Sequence, residues 1–168
     1  MVTPAAKQAS VRLLREVSRG GAGTIYEAED TELGRRLAYK VFHRGESDHG
    51  QIQREATTAI ALRGPGVIRI YDADPKAGWL ASEWCAEGSL RDRLEPSRVT
   101  ELIPVTKWLL PLLRALARVH SAGWVHSDLK PANVLFRDLQ DPVLIDFGVC
   151  QRTGEIGVAG TPGYLSPE

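Results

Sequence analysis

The sequence has little of what several protein classes require. It contains two cysteines, Cys85 and Cys150, with no CxxC pair between them. Zinc sites and thioredoxin-like redox motifs therefore find no support, and two lone thiols suit a reducing cytoplasm. It has no excess of either charge: 21 Lys and Arg balance 21 Asp and Glu. A neutral chain makes a poor dedicated nucleic-acid binder or membrane-surface protein. No long apolar run is present. The most apolar stretch, Trp108 to Val119, is broken by Pro111, Arg114 and Arg118 and falls short of the roughly 18–20 residues of a membrane span. Met1 to Ser10 has no apolar core of the signal-peptide kind. There is no internal repeat and no low-complexity tract. What remains is ordinary: 168 residues, 43% hydrophobic and 25% charged, room for one soluble domain. The expected location is the cytoplasm.

The first half reads as strands. Val11 to Val17 and Thr24 to Ala28 flank Gly20-Gly21-Ala22-Gly23, a hairpin pattern, and Leu37 to Phe42 is a third strand. In Gln51 to Leu62 the residues Ile52, Ala56, Ala59 and Ile60 recur at helical spacing, which puts them on one face and Glu55 on the polar side. Gly64-Pro65-Gly66 ends that helix. Val67 to Tyr71 and Trp79 to Glu83 return to strand. The second half opens with Ser89 as N-cap of a short helix through Leu94. A longer helix follows over Ile103 to Ser121, with Leu109, Leu112, Leu113, Leu116 and Val119 on its apolar side and Pro104 in its first turn. Gly123 stops it. Val134 to Phe136 and Val143 to Ile145 are short strands, and Gln151 to Glu168 reads as an extended loop. The pattern is α+β in two lobes. The expected parts are a 1–10 extension, an 11–86 N-lobe and an 87–168 partial C-lobe.

Three clusters carry chemistry. Glycines between two strands let backbone N–H groups approach a phosphate. Alone, a glycine-rich turn is the simpler reading, and with no helix following, the Rossmann and Walker patterns fail on context. Lys40 inside an apolar strand needs a partner, and Glu55 on the next helix is one; each alone has an edge-strand or solvated-surface reading. The third cluster is His126-Ser127-Asp128-Leu129-Lys130-Pro131-Ala132-Asn133, followed thirteen residues after Asn133 by Asp146-Phe147-Gly148. Asp146 at a strand end can bind a divalent metal and Asn133 can supply a neutral oxygen. Asp128 can orient or deprotonate a hydroxyl, and Lys130 can steady a transferring phosphoryl group.

In this order the residues resemble a eukaryotic-type protein kinase domain, from about Val11 onward. Gly160-Thr161-Pro162-Gly163-Tyr164-Leu165-Ser166-Pro167-Glu168 is similar to the end of its activation segment. Asp-Leu-Lys-Pro-x-Asn and Gly-Thr-Pro resemble the serine/threonine branch. The resemblance implies a two-lobed fold, a β-rich N-lobe with one helix and an incomplete helical C-lobe. It implies ATP and Mg2+, with Mn2+ as a substitute, and a protein substrate. Gly20, Gly21 and Gly23 would cover the phosphates, and Lys40 would hold them while pairing with Glu55. Asp128 would be the catalytic base, Lys130 would contact the γ-phosphate, and Asn133 and Asp146 would be metal ligands. Ile25, Ala38 and Leu135 would sandwich the adenine. Glu83 to Cys85 would be the hinge, with Ser82 as gatekeeper. Thr161 would sit beside Asp128 and Lys130. Ala59, Ile70, His126 and Phe147 would stack between the lobes.

Three departures modify this. Ser18 replaces the usual first glycine of the loop. Ser127 replaces the arginine usual before the catalytic aspartate, and a serine cannot pair bidentately with a phosphorylated loop. Activity is therefore expected not to depend on loop phosphorylation. The family pattern continues past the position of Glu168. The expectation for these residues alone is marginal stability, with a homodimer or another chain covering the exposed apolar face. The alternative activity is a kinase-like protein that binds nucleotide or a partner with little turnover. A small-molecule kinase of related fold is a third reading, which Gly-Thr-Pro-Gly-Tyr disfavours.

Overall fold

The structure is a computed structural model that describes residues 10–43, 48–94, 105–155 and 160–165. A five-stranded antiparallel sheet in the order β1-β2-β3-β5-β4 forms the first half. Its strands are β1 (Val11–Arg19), β2 (Gly23–Asp30), β3 (Arg35–Phe42), β4 (Ile70–Asp74) and β5 (Trp79–Glu83). One device closes two of its hairpins. Asp30 and Asp74 each accept a backbone N–H in the turn that follows, and Gly34 and Gly78 supply the left-handed residue four positions later.

Register decides what each face carries. Ala38 pairs with Ser82 and Lys40 with Leu80, so these four share one face. Helix α1 (Asp48–Ala61) lies over that face, where Phe42, Ile52, Ala56 and Leu80 form a cluster. The other face buries Leu37, Tyr39, Trp79 and Ala81, with the Tyr39 and Trp79 rings stacked at 5.2 Å.

Helix α1 corrects the sequence reading at two positions. Ile52, Glu55, Ala56 and Ala59 are buried, whereas Ile60 is 52% exposed. At 3.6 residues per turn these four and the buried Thr58 span about 160°, with Ile60 about 40° beyond the edge of that stripe. Leu62 takes the place expected of Ile60, and Glu55 lies inside the buried stripe instead of on a solvated side.

The second half begins with a one-turn helix, α2 (Leu90–Arg93), in which Ser89 and Asp92 make a reciprocal capping box. Helix α3 (Val105–Ser121) buries Leu112, Ala115 and Val119, while Leu113 is exposed. Ala115 is small because the α1–β4 loop docks on it: a Cβ on Gly66 would meet the Ala115 Cβ at 2.4 Å. Arg118 bonds the Arg63 and Pro65 carbonyls of the same loop. The expected helix start at Ile103 and Pro104 lies outside the described residues, as do Ser166 to Glu168.

Beyond α3 the backbone makes two small sheets. Strand β6 (Trp124–Val125) pairs with β9 (Gln151–Arg152), and β7 (Val134–Phe136) with β8 (Pro142–Leu144). The β6–β9 pair falls partly in the segment read as loop. Ile68 N–H donates to the Leu144 carbonyl, and Leu144 N–H to the Gly66 carbonyl, which ties β8 to the α1–β4 loop. The shared core contains Ala59, Leu62, Val67, Leu112, Phe136, Leu144 and Phe147. Burying each large side chain contributes roughly 1.5–3 kcal/mol.

Candidate active site

Lys40 on β3 and Glu55 on α1 face each other across the space between sheet and helix. Lys40 Nζ donates to Glu55 Oε2 at 2.8 Å. Burial holds the Glu55 carboxyl above its ordinary value, Lys40 opposes this, and Asp146 adds to it. Asp146 is therefore electrostatically part of this pair. The segment after it packs against α1: a Cβ on Gly148 would press on the Gln51 side chain at 3.3 Å.

The loop between β6 and β7 builds a second constellation around Asp128, which is 8% exposed. Its Oδ2 accepts from Lys130 Nζ at 2.7 Å and from Asn133 Nδ2 at 2.9 Å. Its Oδ1 accepts from Thr161 Oγ1 at 2.6 Å, and Thr161 in turn accepts from Lys130 Nζ at 2.6 Å. Burial works to raise the Asp128 carboxyl, but the Lys130, Thr161 and Asn133 hydrogen bonds outweigh it and hold it below the ordinary value.

His126 links the two constellations. Its Nε2 lies 2.9 Å from the Ile145 carbonyl, which only accepts, so Nε2 carries the proton. Nδ1 is then free to accept from the Asp128 N–H at 3.4 Å. Burial lowers the imidazole pKa, consistent with this neutral tautomer. The ring tilts against Phe147, with centroids 5.1 Å apart. Phe147 and Ala59 share the central core, with Ile70 packed against it. Ile145 N–H donates to the Asn133 carbonyl at 3.1 Å, so Asp146 follows one residue after that tie. Two residues here take left-handed backbone, Ser127 at φ 65° and Asp146 at φ 64°.

The glycine hairpin and the strand ending at Glu83 belong to the same sheet. Gly20 and Gly23 exchange backbone hydrogen bonds at 2.9 and 3.4 Å, so their N–H groups are occupied. A Cβ on Gly23 would meet the Val41 carbonyl at 2.5 Å, so this glycine serves close strand packing. Gly21, at the exposed tip, has open space around it. Ile25 lies opposite Lys40 in the β2–β3 register. Ser82 is buried beside Ala38. Leu135 sits on β7, half-buried against the central core. The Cys85 side chain points into that core, and burial pushes its thiol up to about 12. Cys85 therefore has only its backbone to offer a ligand.

Glu83 is bound through its side chain from two directions. Its carboxylate accepts from Arg137 Nε at 2.8 Å, from Arg137 Nη2 at 2.7 Å and from the Arg69 N–H at 2.8 Å. Burial pulls its pKa up, and these bonds overcome that and hold it low. No sequence pattern marks Arg137 or Arg69 as partners of Glu83. Arg137 is 54 residues from Glu83, and no local pattern connects them.

Residues 11–168 match the family model described as protein kinase domain. The chain is 33% identical to a probable serine/threonine-protein kinase of Streptomyces coelicolor, covering 90% of this chain and 25% of that protein. It is 37% identical to the DNA damage-responsive serine/threonine-protein kinase RqkA of Deinococcus radiodurans, over 93% of this chain and 25% of the relative. Against the serine/threonine-protein kinase PknL of Mycobacterium tuberculosis the identity is 33%, over 91% and 41%. The chain thus spans about a quarter of the length of the first two relatives. The match running from the first strand to Glu168, on a five-stranded sheet with its covering helix, establishes that this chain belongs to the protein kinase domain family.

Proposed function

We propose that the chain carries the catalytic site of a serine/threonine protein kinase, which moves the ATP γ-phosphoryl group to a protein hydroxyl with Mg2+. The carrying observation is the Asp128 constellation: one carboxylate held by Lys130, Asn133 and Thr161 beside a second site of Lys40, Glu55 and Asp146. The relatives' names support this reading. So does the Gly-Thr-Pro segment that brings Thr161 to Asp128.

The donor set fits a hard divalent cation. Both hydrogen bonds donated by the Asn133 side chain leave from Nδ2, so Oδ1 remains a ligand. Asp146, at the start of the turn over Phe147–Val149, makes no capping hydrogen bond. Among the described residues no three His, Cys, Asp or Glu gather into a cage. One carboxylate and one amide oxygen suit Mg2+, which keeps waters and phosphate oxygens as its other ligands. When bound, the ion neutralises phosphate charge.

The protein's own groups do the rest. Lys40, aimed by Glu55, binds phosphate oxygens. Asp128 accepts a hydrogen bond from the incoming hydroxyl and orients its oxygen toward the γ-phosphorus. As the P–O bond to that oxygen forms and the bond to the ADP oxygen breaks, the hydroxyl proton passes to Asp128. A carboxyl with a lowered pKa is a weak base, so it takes the proton late, when the hydroxyl has become acidic. Lys130 stabilises charge on the moving group. Cytoplasmic location accords with the two unpaired cysteines, and no helix among the described residues is long and apolar enough to cross a membrane.

Transfer of labelled γ-phosphate to a generic protein substrate tests this. Asp128→Asn is expected to lower the rate by about three orders of magnitude and leave nucleotide binding in place. Magnesium-dependent nucleotide binding without any transfer would replace the proposal with a binding role.

A further inference from the structure

The ion pairs on the outer strands are exposed. Arg12–Glu29, Arg15–Glu27 and Arg19–Glu16 all use arginine side chains at least 62% exposed. Such pairs contribute little. The Glu83–Arg137 pair differs in burial and in wiring. Its side chains are 11% and 27% exposed, and the contact is a planar two-point fork.

The fork is itself tied on every side. Arg137 Nη1 donates to Asp141 Oδ2 at 3.0 Å, and Nη2 reaches the Val67 carbonyl at 3.2 Å. The Arg137 N–H donates to the Asp141 carbonyl at 3.1 Å. On the other side, Glu83 N–H donates to the Arg69 carbonyl at 2.9 Å while its carboxylate accepts the Arg69 N–H. Three segments thus converge on one carboxylate: the end of β5, the loop before β4, and the β7–β8 hairpin. Of the next two residues, Cys85 is held and Trp84 is only loosely touched. The Arg15 guanidinium lies 5.9 Å from the Trp84 ring, and Cys85 is locked by its buried side chain.

We propose that Arg137 is a positioning residue for the nucleotide, and that its fork on Glu83 fixes the direction in which the Glu83 carbonyl and the Cys85 N–H meet the base. This rests on the nucleotide-binding part of the proposed function. Fixed direction has a chemical consequence. Adenine offers a donor at N6 and an acceptor at N1, matching a carbonyl followed by an N–H. Guanine offers an acceptor at O6 and a donor at N1, so both contacts clash with a hinge that cannot turn. A rigid hinge therefore discriminates, and a loosened one adapts to either base. The clamp acts on base recognition, remote from the phosphoryl group, so it should govern KM in preference to kcat.

The experiment compares the purified chain with Arg137→Ala, Arg137→Lys and Glu83→Gln. Hydrogen exchange without nucleotide reads the hinge directly. Arg137→Ala is expected to speed exchange in a peptide covering residues 82–87 and to leave α3 unchanged. KM for ATP is expected to rise roughly tenfold with kcat within about twofold, and the ATP-over-GTP preference to shrink by a similar factor. Arg137→Lys keeps the charge but not the fork, so it should show most of the same effect. Glu83→Gln keeps the side-chain size and weakens the fork; roughly threefold in KM is expected, and it serves where Arg137→Ala does not fold. Unchanged hinge exchange and KM in a folded, active Arg137→Ala protein would overturn the proposal and leave the proposed function standing. Faster exchange across α3, with a fall in kcat alone, would overturn it too, because the role would then be merely structural. A wild-type chain that binds neither nucleotide would overturn both.

Discussion

The two halves of the molecule each bury a carboxylate against a lysine, and the outcomes are opposite. Glu55 meets Lys40 at 2.8 Å and Asp128 meets Lys130 at 2.7 Å. Yet Glu55 titrates above its ordinary value and Asp128 below. The lysine cannot be the reason, since both sites have one. The difference is in depth of burial, the largest influence on Glu55, and in the other neighbours. Glu55 sits deep between sheet and helix, with Asp146 as a like charge nearby. Asp128 has two further donors, Thr161 and Asn133. Deep burial raises a carboxylate even beside a cation, and several donors lower one that is less deeply placed.

This contrast can be broken from either side. The largest effect is expected from Lys40→Met, which removes the cation paired with Glu55 and, in the proposed mechanism, a phosphate ligand together. Phosphoryl transfer should fall by about a hundredfold or more in the same assay. Its melting temperature should also change with pH in one direction. A carboxyl raised in the folded state favours folding at low pH, so the variant should lose stability as pH rises from about 4.5 through the raised folded value.

Next in size is Thr161→Val, which strips a donor from Asp128. The Asp128 pKa should move up toward its ordinary value, shifting the acid limb of the pH–rate profile upward. Transfer at neutral pH should drop by about tenfold. A third test concerns the wild type. Asp128 and Glu83 are both held low, so their contribution is complete above about pH 4.5 and is withdrawn as pH falls through their lowered values. Acid melts should show this loss, and Glu83→Gln should flatten it. The smallest effect is expected at Thr153, an exposed hydroxyl in the segment after Asp146. With Ser127 in place of an arginine, Thr153→Ala should leave transfer within about twofold.

Much of this was legible in the sequence because it was local. Trp79–Glu83 is a strand with the expected bounds, and Ser89 caps the helix it was expected to cap. The order of Lys40, Glu55, Asp128, Asn133 and Asp146 along the chain suggests a shared site, and the structure brings them into two adjoining clusters. What failed was direction. Ile60 and Leu113 are apolar and helical but face outward, and Ala115 carries contact that a leucine was expected to make. Hydrophobicity reports a preference for burial, and only packing against Gly66 explains why a small residue was needed there. The two-residue strands β6 and β9 are too short to show any periodicity. The clamp on Glu83 depends on residues far apart in sequence, which pattern reading does not reach.

The left-handed backbone at Ser127 and Asp146 bears on how these positions tolerate change. L-residues other than glycine pay roughly 1–2 kcal/mol to hold that conformation, with asparagine and aspartate the least penalised. At both positions the residue present is thus poorer for the fold than glycine would be. A variant library selected for folding alone should drift to glycine or asparagine at 127 and 146, and selection for phosphoryl transfer should restore aspartate at 146 only. Sequencing both pools would separate what this backbone costs from what the side chain at 146 contributes.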